Sequence, residues 1–403
     1  MKFRASWGQL GNENALGKYD FLARISSYND MYMGYVQGAG SNPWTGSIAR
    51  ALENRSLKWE TTDTKNIGFD FGLFGNHLNG NINYYINETR DLLITRRIAP
   101  SAGLDNPTLN VGKMRNQGFE LELNWNDKIN DFEYNVGFNI STIANKVVAL
   151  ANEDQTIYGV GLKYGTEHFP TQTKVGKPIG AFYLYQADGI FQSLEEVQAH
   201  KNSKGELLQP NAQPGDVRFK DMNGDGVIDE DDKTYSGTGI AKVEANLNLG
   251  ASYKGFDFSA VIGSAFGNKL YNGIRYYYEG MNSGSNFLKT TLNAWTPTNT
   301  KTDIPRAVFG DPNQNTREST RFLENGDFVR LRQVQLGYTL PKALSKHIYC
   351  ESIRFYVSAE NVFTITGYSG ANPEFSQGVL NSGVDRFTYP FSRSYTVGAQ
   401  VSF

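Results

Sequence analysis

The sequence predicts an all-β protein, an antiparallel transmembrane β-barrel with long loops at one end. Three observations predict it. Several segments alternate apolar and polar residues with period two. The links between those segments alternate between short and long. No run approaches the 18 apolar residues that a membrane-crossing helix needs, and the mean hydropathy is −0.47. A barrel wall escapes that last test, because only every second residue of its strands meets lipid.

The alternation is clearest at 119–126, where Phe119, Leu121, Leu123 and Trp125 share one face and Glu120, Glu122, Asn124 and Asn126 the other. It recurs at 132–141, at 246–253 and at 395–403, the last with Tyr395, Val397, Ala399, Val401 and Phe403 on one side. The polar face is rich in Asn, Gly, Ser and Glu, and the apolar face carries large aromatics. A soluble sandwich would also alternate, but a wet lumen and an aromatic outer girdle fit this distribution better. Strands are expected near 2–9, 58–74, 79–90, 113–127, 131–145, 241–254, 256–269, 327–341, 351–366 and 393–403. The links at 75–78, 128–130, 255 and 342–350 are then short. Those at 10–57, 91–112, 146–240, 270–326 and 367–392 are long. Short periplasmic turns and long extracellular loops give outer-membrane barrels this rhythm. Ten strands must close on themselves or join further strands, since lipid tolerates no open edge.

Composition excludes other classes. In 403 residues, 39 Lys and Arg stand against 41 Asp and Glu, a net charge of −2 that gives nucleic acid no basic surface. One cysteine, Cys350, excludes internal disulfides and cysteine-based zinc clusters. The opening MKFRASWGQLGNENALGK holds no apolar signal-peptide stretch, so Met1 is expected to be an internal position or an artificial start.

One motif carries metal chemistry. Residues 221–232, DMNGDGVIDEDD, follow the spacing of a Ca²⁺ loop. Asp221, Asn223 and Asp225 supply side-chain oxygens, Gly226 permits the sharp turn, Val227 offers its carbonyl, and Asp229 and Asp232 complete the set. Asp232 replaces the usual Glu. Pro214-Gly215 before the loop and Tyr235-Ser236-Gly237 after it leave no room for flanking helices. A lone structural Ca²⁺ site that stiffens the 146–240 connection is therefore expected, against the simpler reading of a solvated acidic turn.

Catalytic patterns are absent: there is no G-x-S-x-G, H-E-x-x-H, C-x-x-C or P-loop. His77, His168, His200 and His347 are far apart in sequence, and each is read as a surface or packing residue. Glu120 and Glu122 are read as wet barrel wall rather than a catalytic pair. No enzyme is expected. Aromatics in the long links can stack on sugars or peptide side chains, with packing as the alternative. Tyr276, Tyr277 and Tyr278, with Trp295 and Trp44, are the substrate-binding candidates.

Longer blocks complete the reading. PGDVRFKDMNGDGVIDEDD (Pro214–Asp232), WTPTNTKTDIPR (Trp295–Arg306), RFLENGDFVRLRQVQLGYTLP (Arg321–Pro341) and IRFYVSAENVFTITGY (Ile353–Tyr368) occur in order before a terminal strand ending in Phe403. NIGFDF from Asn66 and NQGFELEL from Asn116 precede them. This series resembles the barrel of the SusC/RagA family of TonB-dependent outer-membrane transporters. The resemblance implies that residues 1–403 are about ten C-terminal strands of a 22-stranded barrel, whose plug, TonB box and earlier strands precede this segment. It implies location in the outer membrane, a SusD-like surface lipoprotein as lid, and energy from TonB–ExbB–ExbD through those preceding parts. It further implies import of oligosaccharides or, in some members, peptides, and a terminal aromatic, Phe403, of the kind read by the barrel assembly machinery. The competing reading is a soluble, secreted, Ca²⁺-dependent carbohydrate-binding β-protein.

Overall fold

All ten expected strands form, and they lie in chain order in one antiparallel sheet of a computed structural model. It describes residues 1–403 apart from 14–15, 18, 24, 29–45, 50–51, 96–97, 152–155, 165, 283–285, 348 and 376. The strands are β1 (Lys2–Asn12), β2 (Glu60–Leu73), β3 (Leu78–Arg90), β4 (Gly112–Ile129), β5 (Phe132–Thr142), β6 (Val243–Tyr253), β7 (Phe256–Phe266), β8 (Phe328–Thr339), β9 (Ser352–Thr366) and β10 (Ser394–Ser402). A further strand, Ala144–Leu150, carries the line of β5 onward against Gly112–Gln117 of β4. The wall here therefore runs past residue 145, where the expected strand ends. Among the described residues β1 and β10 each pair on one side only, so the ten strands do not close on themselves.

The short links occupy one end of the wall. The tightest is the pair Lys254 and Gly255, with φ of 46° and 89°. A two-residue hairpin needs this left-handed geometry to match the twist of its strands.

Alternation sorts the two faces as the sequence predicts. Trp7, Ile67, Phe119, Phe355 and Val397 are exposed on one side. The other side is crossed by polar stitches between strands, two of which reach over the strand between. Arg4 Nη2 donates to Asp70 Oδ1 at 2.6 Å and to Asn83 Oδ1 at 3.0 Å. Asn81 donates to Glu122 at 2.8 Å, Asn246 to Asn139 at 2.9 Å, and Arg354 Nε to Asp257 Oδ1 at 2.9 Å. Two glycines make the arginine stitches possible. A Cβ on Gly68 would stand 2.3 Å from Asn83 Oδ1, and one on Gly337 would stand 2.4 Å from Asp257 Oδ1. On the apolar side, at the short-link end, aromatic rings form a belt. Phe256 and Tyr338 have centroids 4.5 Å apart, Phe132 and Tyr253 6.5 Å, and Phe74 and Trp125 6.1 Å. Rings at this level suit the boundary between headgroups and acyl chains.

The three long links after β5, β7 and β9 are not separate loops. They fold together into a cap with its own core of Leu162, Phe182, Leu184, Tyr271, Tyr276, Phe322 and Val384. One of its small sheets is built within one link, and another joins two links. The first pairs Ile157–Tyr158, Thr171–Thr173, Ala181–Leu184 and Thr234–Gly237; the second pairs Lys269–Asn272 with Leu323–Asn325 and Val384–Asp385. Burying apolar surface between links offsets the ordering entropy that each would bear alone.

Candidate functional site

The cap places its charged groups at the junctions of those links. Glu318, nearly buried, lies 2.7 Å from His168 Nδ1 and 2.5 Å from Lys233 Nζ. Lys233 is also buried, and its ammonium donates to Glu230 Oε2 at 2.6 Å. Burial pushes the Glu318 carboxyl up, but the His168 hydrogen bond and the Lys233 charge outweigh it and bring the pKa down to about 2. Beside this trio, burial pushes the Tyr185 hydroxyl up.

A second cluster partitions two adjoining cavities. Arg275 donates to Glu279 at 3.0 Å and to Glu324 at 3.2 Å, and Arg321 donates to Glu279 at 3.0 Å. Burial lowers the Arg321 guanidinium to about 10. Arg321 lines a cavity of about 520 Å³, shared with Arg218, Asp188 and Glu196. Arg275, Glu279 and Glu324 line one of about 650 Å³. Asp303 borders both. These spaces are large enough for a small oligomeric ligand, and their polar lining carries both signs of charge.

The helix Gly273–Tyr278 corrects the expectation for the tyrosine run. Asn272 caps it by accepting from Arg275 N at 3.1 Å. Successive residues on a helix point about 100° apart, so the three rings diverge. Tyr276 is 1% exposed and packs in the cap core, out of reach of a substrate. Tyr277 meets it edge-on at 5.0 Å, and its hydroxyl accepts from Lys163 N at 3.1 Å. Tyr277 and Tyr278 both pack against Phe387. Trp295 is corrected too. It is buried, its Nε1 donates to Gln192 at 2.9 Å, and a Cβ on Gly215 would stand 2.4 Å from its ring. It therefore staples one link to another. Trp44 lies outside the described residues. The cavities are walled mostly by polar residues rather than by these loop aromatics, and no periodic signal in the sequence marks such residues.

The acidic loop folds on itself. Asp221 accepts from Gly224 N at 2.6 Å and Gly226 N at 2.9 Å, and Gly226 has a φ of 91°. Asn223 accepts from Asp225 N, and Asp225 from Val227 N, both at 2.9 Å. Asp232 is fully buried and accepts from Met222 N at 2.6 Å and from Asp229 N at 2.8 Å. Asp229 accepts from Asp231 N at 2.9 Å. Among the described residues no three acidic, histidine or cysteine side chains converge on one point. The donor set nevertheless suits Ca²⁺: it is all oxygen, strongly anionic and mostly exposed.

A third cluster ties the last long link to the wall. Arg330 donates to Glu374 Oε2 at 2.9 Å and Asn372 Oδ1 at 2.7 Å, and Arg332 to Glu374 Oε1 at 2.9 Å.

A wall with stitched polar and bare aromatic faces, roofed by a co-folded cap, defines an outer-membrane β-barrel of the transporter type. The family model described as TonB dependent receptor-like, beta-barrel, matches residues 2–362. The chain belongs to the TonB-dependent receptor β-barrel family, whose members are outer-membrane transporters rather than enzymes. Over its whole length it is 30% identical to TonB-dependent receptor P3 of Formosa agariphila, spanning 39% of that protein. It is 27% identical to TonB-dependent receptor SusC of Bacteroides thetaiotaomicron, spanning 37%. The solved RagAB peptide transporter matches 100% of the chain over 40% of its own, with a TM-score of 0.78 and 25% identity. The chain thus spans about two fifths of the length of these relatives. The reading as a soluble, secreted protein is overturned, because the family sits in the outer membrane.

Proposed function

We propose that this chain forms the rear wall and outer vestibule of a TonB-coupled importer of oligosaccharides or peptides. The observation that carries the reading is the cap, whose two polar cavities lie where long links gather beside a hydrophilic wall. Energy coupling through TonB–ExbB–ExbD would act through parts of the full-length protein outside this span. A SusD-like lipoprotein would cover the cap, and the exposed Leu292 and Phe309 offer it apolar contacts.

Burial of Tyr276 and Trp295 removes two of the rings expected to stack on sugars. The mixed charges of Arg218, Asp188, Glu196 and Asp303 favour a cargo bearing both charges, so peptides are the favoured cargo and oligosaccharides the alternative. Asp221, Asn223, Asp225, Asp229, Asp232 and the Val227 carbonyl would hold a structural Ca²⁺, which would neutralise the loop's crowded carboxylates.

Uptake by cells carrying the full-length transporter tests the reading. Labelled peptides and labelled oligosaccharides are supplied in parallel, with and without the gene. Gene-dependent peptide uptake supports the favoured cargo, and gene-dependent sugar uptake selects the alternative. Equal accumulation of both cargoes with and without the gene rejects import.

A further inference from the structure

We propose that the turn joining β8 to β9 is an anchor for anionic phospholipid in the periplasmic leaflet. Among the described residues it is the only short link that contains an α-helix, Lys342–His347. The inner side of this turn is small and polar. Ser345 is fully buried, its Oγ donates to the Glu351 carbonyl at 3.3 Å, and its own carbonyl accepts from Cys350 N at 3.1 Å. The outer side is different. Lys342, Leu344, Lys346, His347 and Tyr349 are all exposed, Tyr349 by 93%. Among the described residues neither lysine forms an ion pair.

The turn leans toward the lipid side of the wall. Ile353 and Phe355 share the apolar face of β9, yet Ile353 is 6% exposed and Phe355 51%. The helix lies against β9, and Leu340 N just before it donates to the Ile353 carbonyl at 2.8 Å. The helix thereby continues the aromatic belt of Phe256 and Tyr338 on the two preceding strands. Two lysines and a histidine beside a leucine and a tyrosine form an amphipathic ledge. The long lysine stems lie along apolar surface and lift their ammonium groups to the headgroups. A phosphodiester there pairs with the ammonium groups, while Leu344 and Tyr349 enter the acyl boundary. Unpaired cations make the ledge selective for lipids with net negative charge.

The test uses the full-length transporter in detergent and does not depend on what is imported. Its unfolding temperature is followed while phosphatidylglycerol or phosphatidylcholine is added, and retained lipid is counted by native mass spectrometry. Phosphatidylglycerol should stabilise the protein and phosphatidylcholine should not. The double variant K342Q/K346Q should bind phosphatidylglycerol about fivefold more weakly per lysine removed, and K342R/K346R should restore binding. K289Q/K301Q, at the opposite end, should behave as the parent does. A heat-modifiable band on gels establishes that each variant has folded. Unchanged phosphatidylglycerol retention by K342Q/K346Q, or equal stabilisation by both lipids, overturns the proposal.

Discussion

Lys233 and Glu318 are 85 residues apart in the chain, yet their side chains meet at 2.5 Å inside the cap. One follows the acidic loop directly; the other precedes Ser319, Thr320 and Arg321, which lead into the cavity wall. The pair thus joins the metal-type loop to the vestibule through one contact. Lys233→Met would leave the Glu318 carboxylate buried with His168 and a 3.4 Å hydrogen bond from Phe169 N, but without its cation. Breaking a buried pair this way costs about 3–5 kcal/mol. The expected readout is a lower unfolding temperature with faster proteolysis at 221–232. An unchanged unfolding temperature would show that the contact adds nothing.

Acid should loosen the same junction. The Glu318 pKa is about 2 in the folded protein, below the ordinary value of 4.5. Its contribution is complete above pH 4.5 and fades as pH falls toward 2, because the unfolded chain takes up its proton first. The loss is on the order of 3 kcal/mol. Glu318→Gln should flatten this part of the stability profile between pH 5 and 2, measured by denaturant unfolding. An identical slope in parent and variant would rule Glu318 out as its source.

Chelation should open the acidic loop. With Ca²⁺ present, protease cutting within 221–232 should be slow, and EGTA should accelerate it several-fold. Asp225→Asn removes a carboxylate from the exposed rim, so it should be cut quickly even in excess Ca²⁺. Cutting rates that ignore both chelator and variant would leave the loop as a solvated turn.

Glycine at 337 should resist replacement. A Cβ there would come 2.4 Å from Asp257 Oδ1 and 2.5 Å from Arg354 Nη2. Gly337→Ala must shift the ends of both side chains and disturb their pairing, at a cost of about 1 kcal/mol. The unfolding temperature should fall, whereas Gly8→Ala, where nothing lies within 4 Å, should leave it within experimental scatter. Equal behaviour of the two variants would refute the packing argument.

Arg330 should clamp the last long link. Arg330→Met removes the donors to Asn372 and Glu374, and amide hydrogen exchange across 371–375 should rise at least tenfold. Exchange that stays slow would mean that other contacts hold the segment.

The wall was legible because lipid on one side and water on the other write themselves into every second residue. The ten strands, their order and the rhythm of their links all follow from that. One local break was not readable. Counting by twos from Val334, Leu336 and Tyr338 assigns Arg330 to the apolar face, but a bulge at Arg332 resets the count. Arg330 then pairs with Gly263 on the polar side. The cap was less legible, because its core is assembled from residues of three different links. Tyr276 packs near Leu162 and Val384, and no local period announces such partners. The tyrosine run looked like a binding surface only because its short helix could not be read from three adjacent aromatics.

The flat arginines of the wall bear on selectivity. Arg4 lies across Gly68 onto Asp70, and Arg354 lies across Gly337 onto Asp257. Each charge is cancelled where it stands and kept close to the backbone. Local pairing of this kind keeps these two arginines from adding net charge to the polar face of the wall. Under the proposed import, changes in the cap should then alter which cargo is taken up more than changes at Arg4 or Arg354 do.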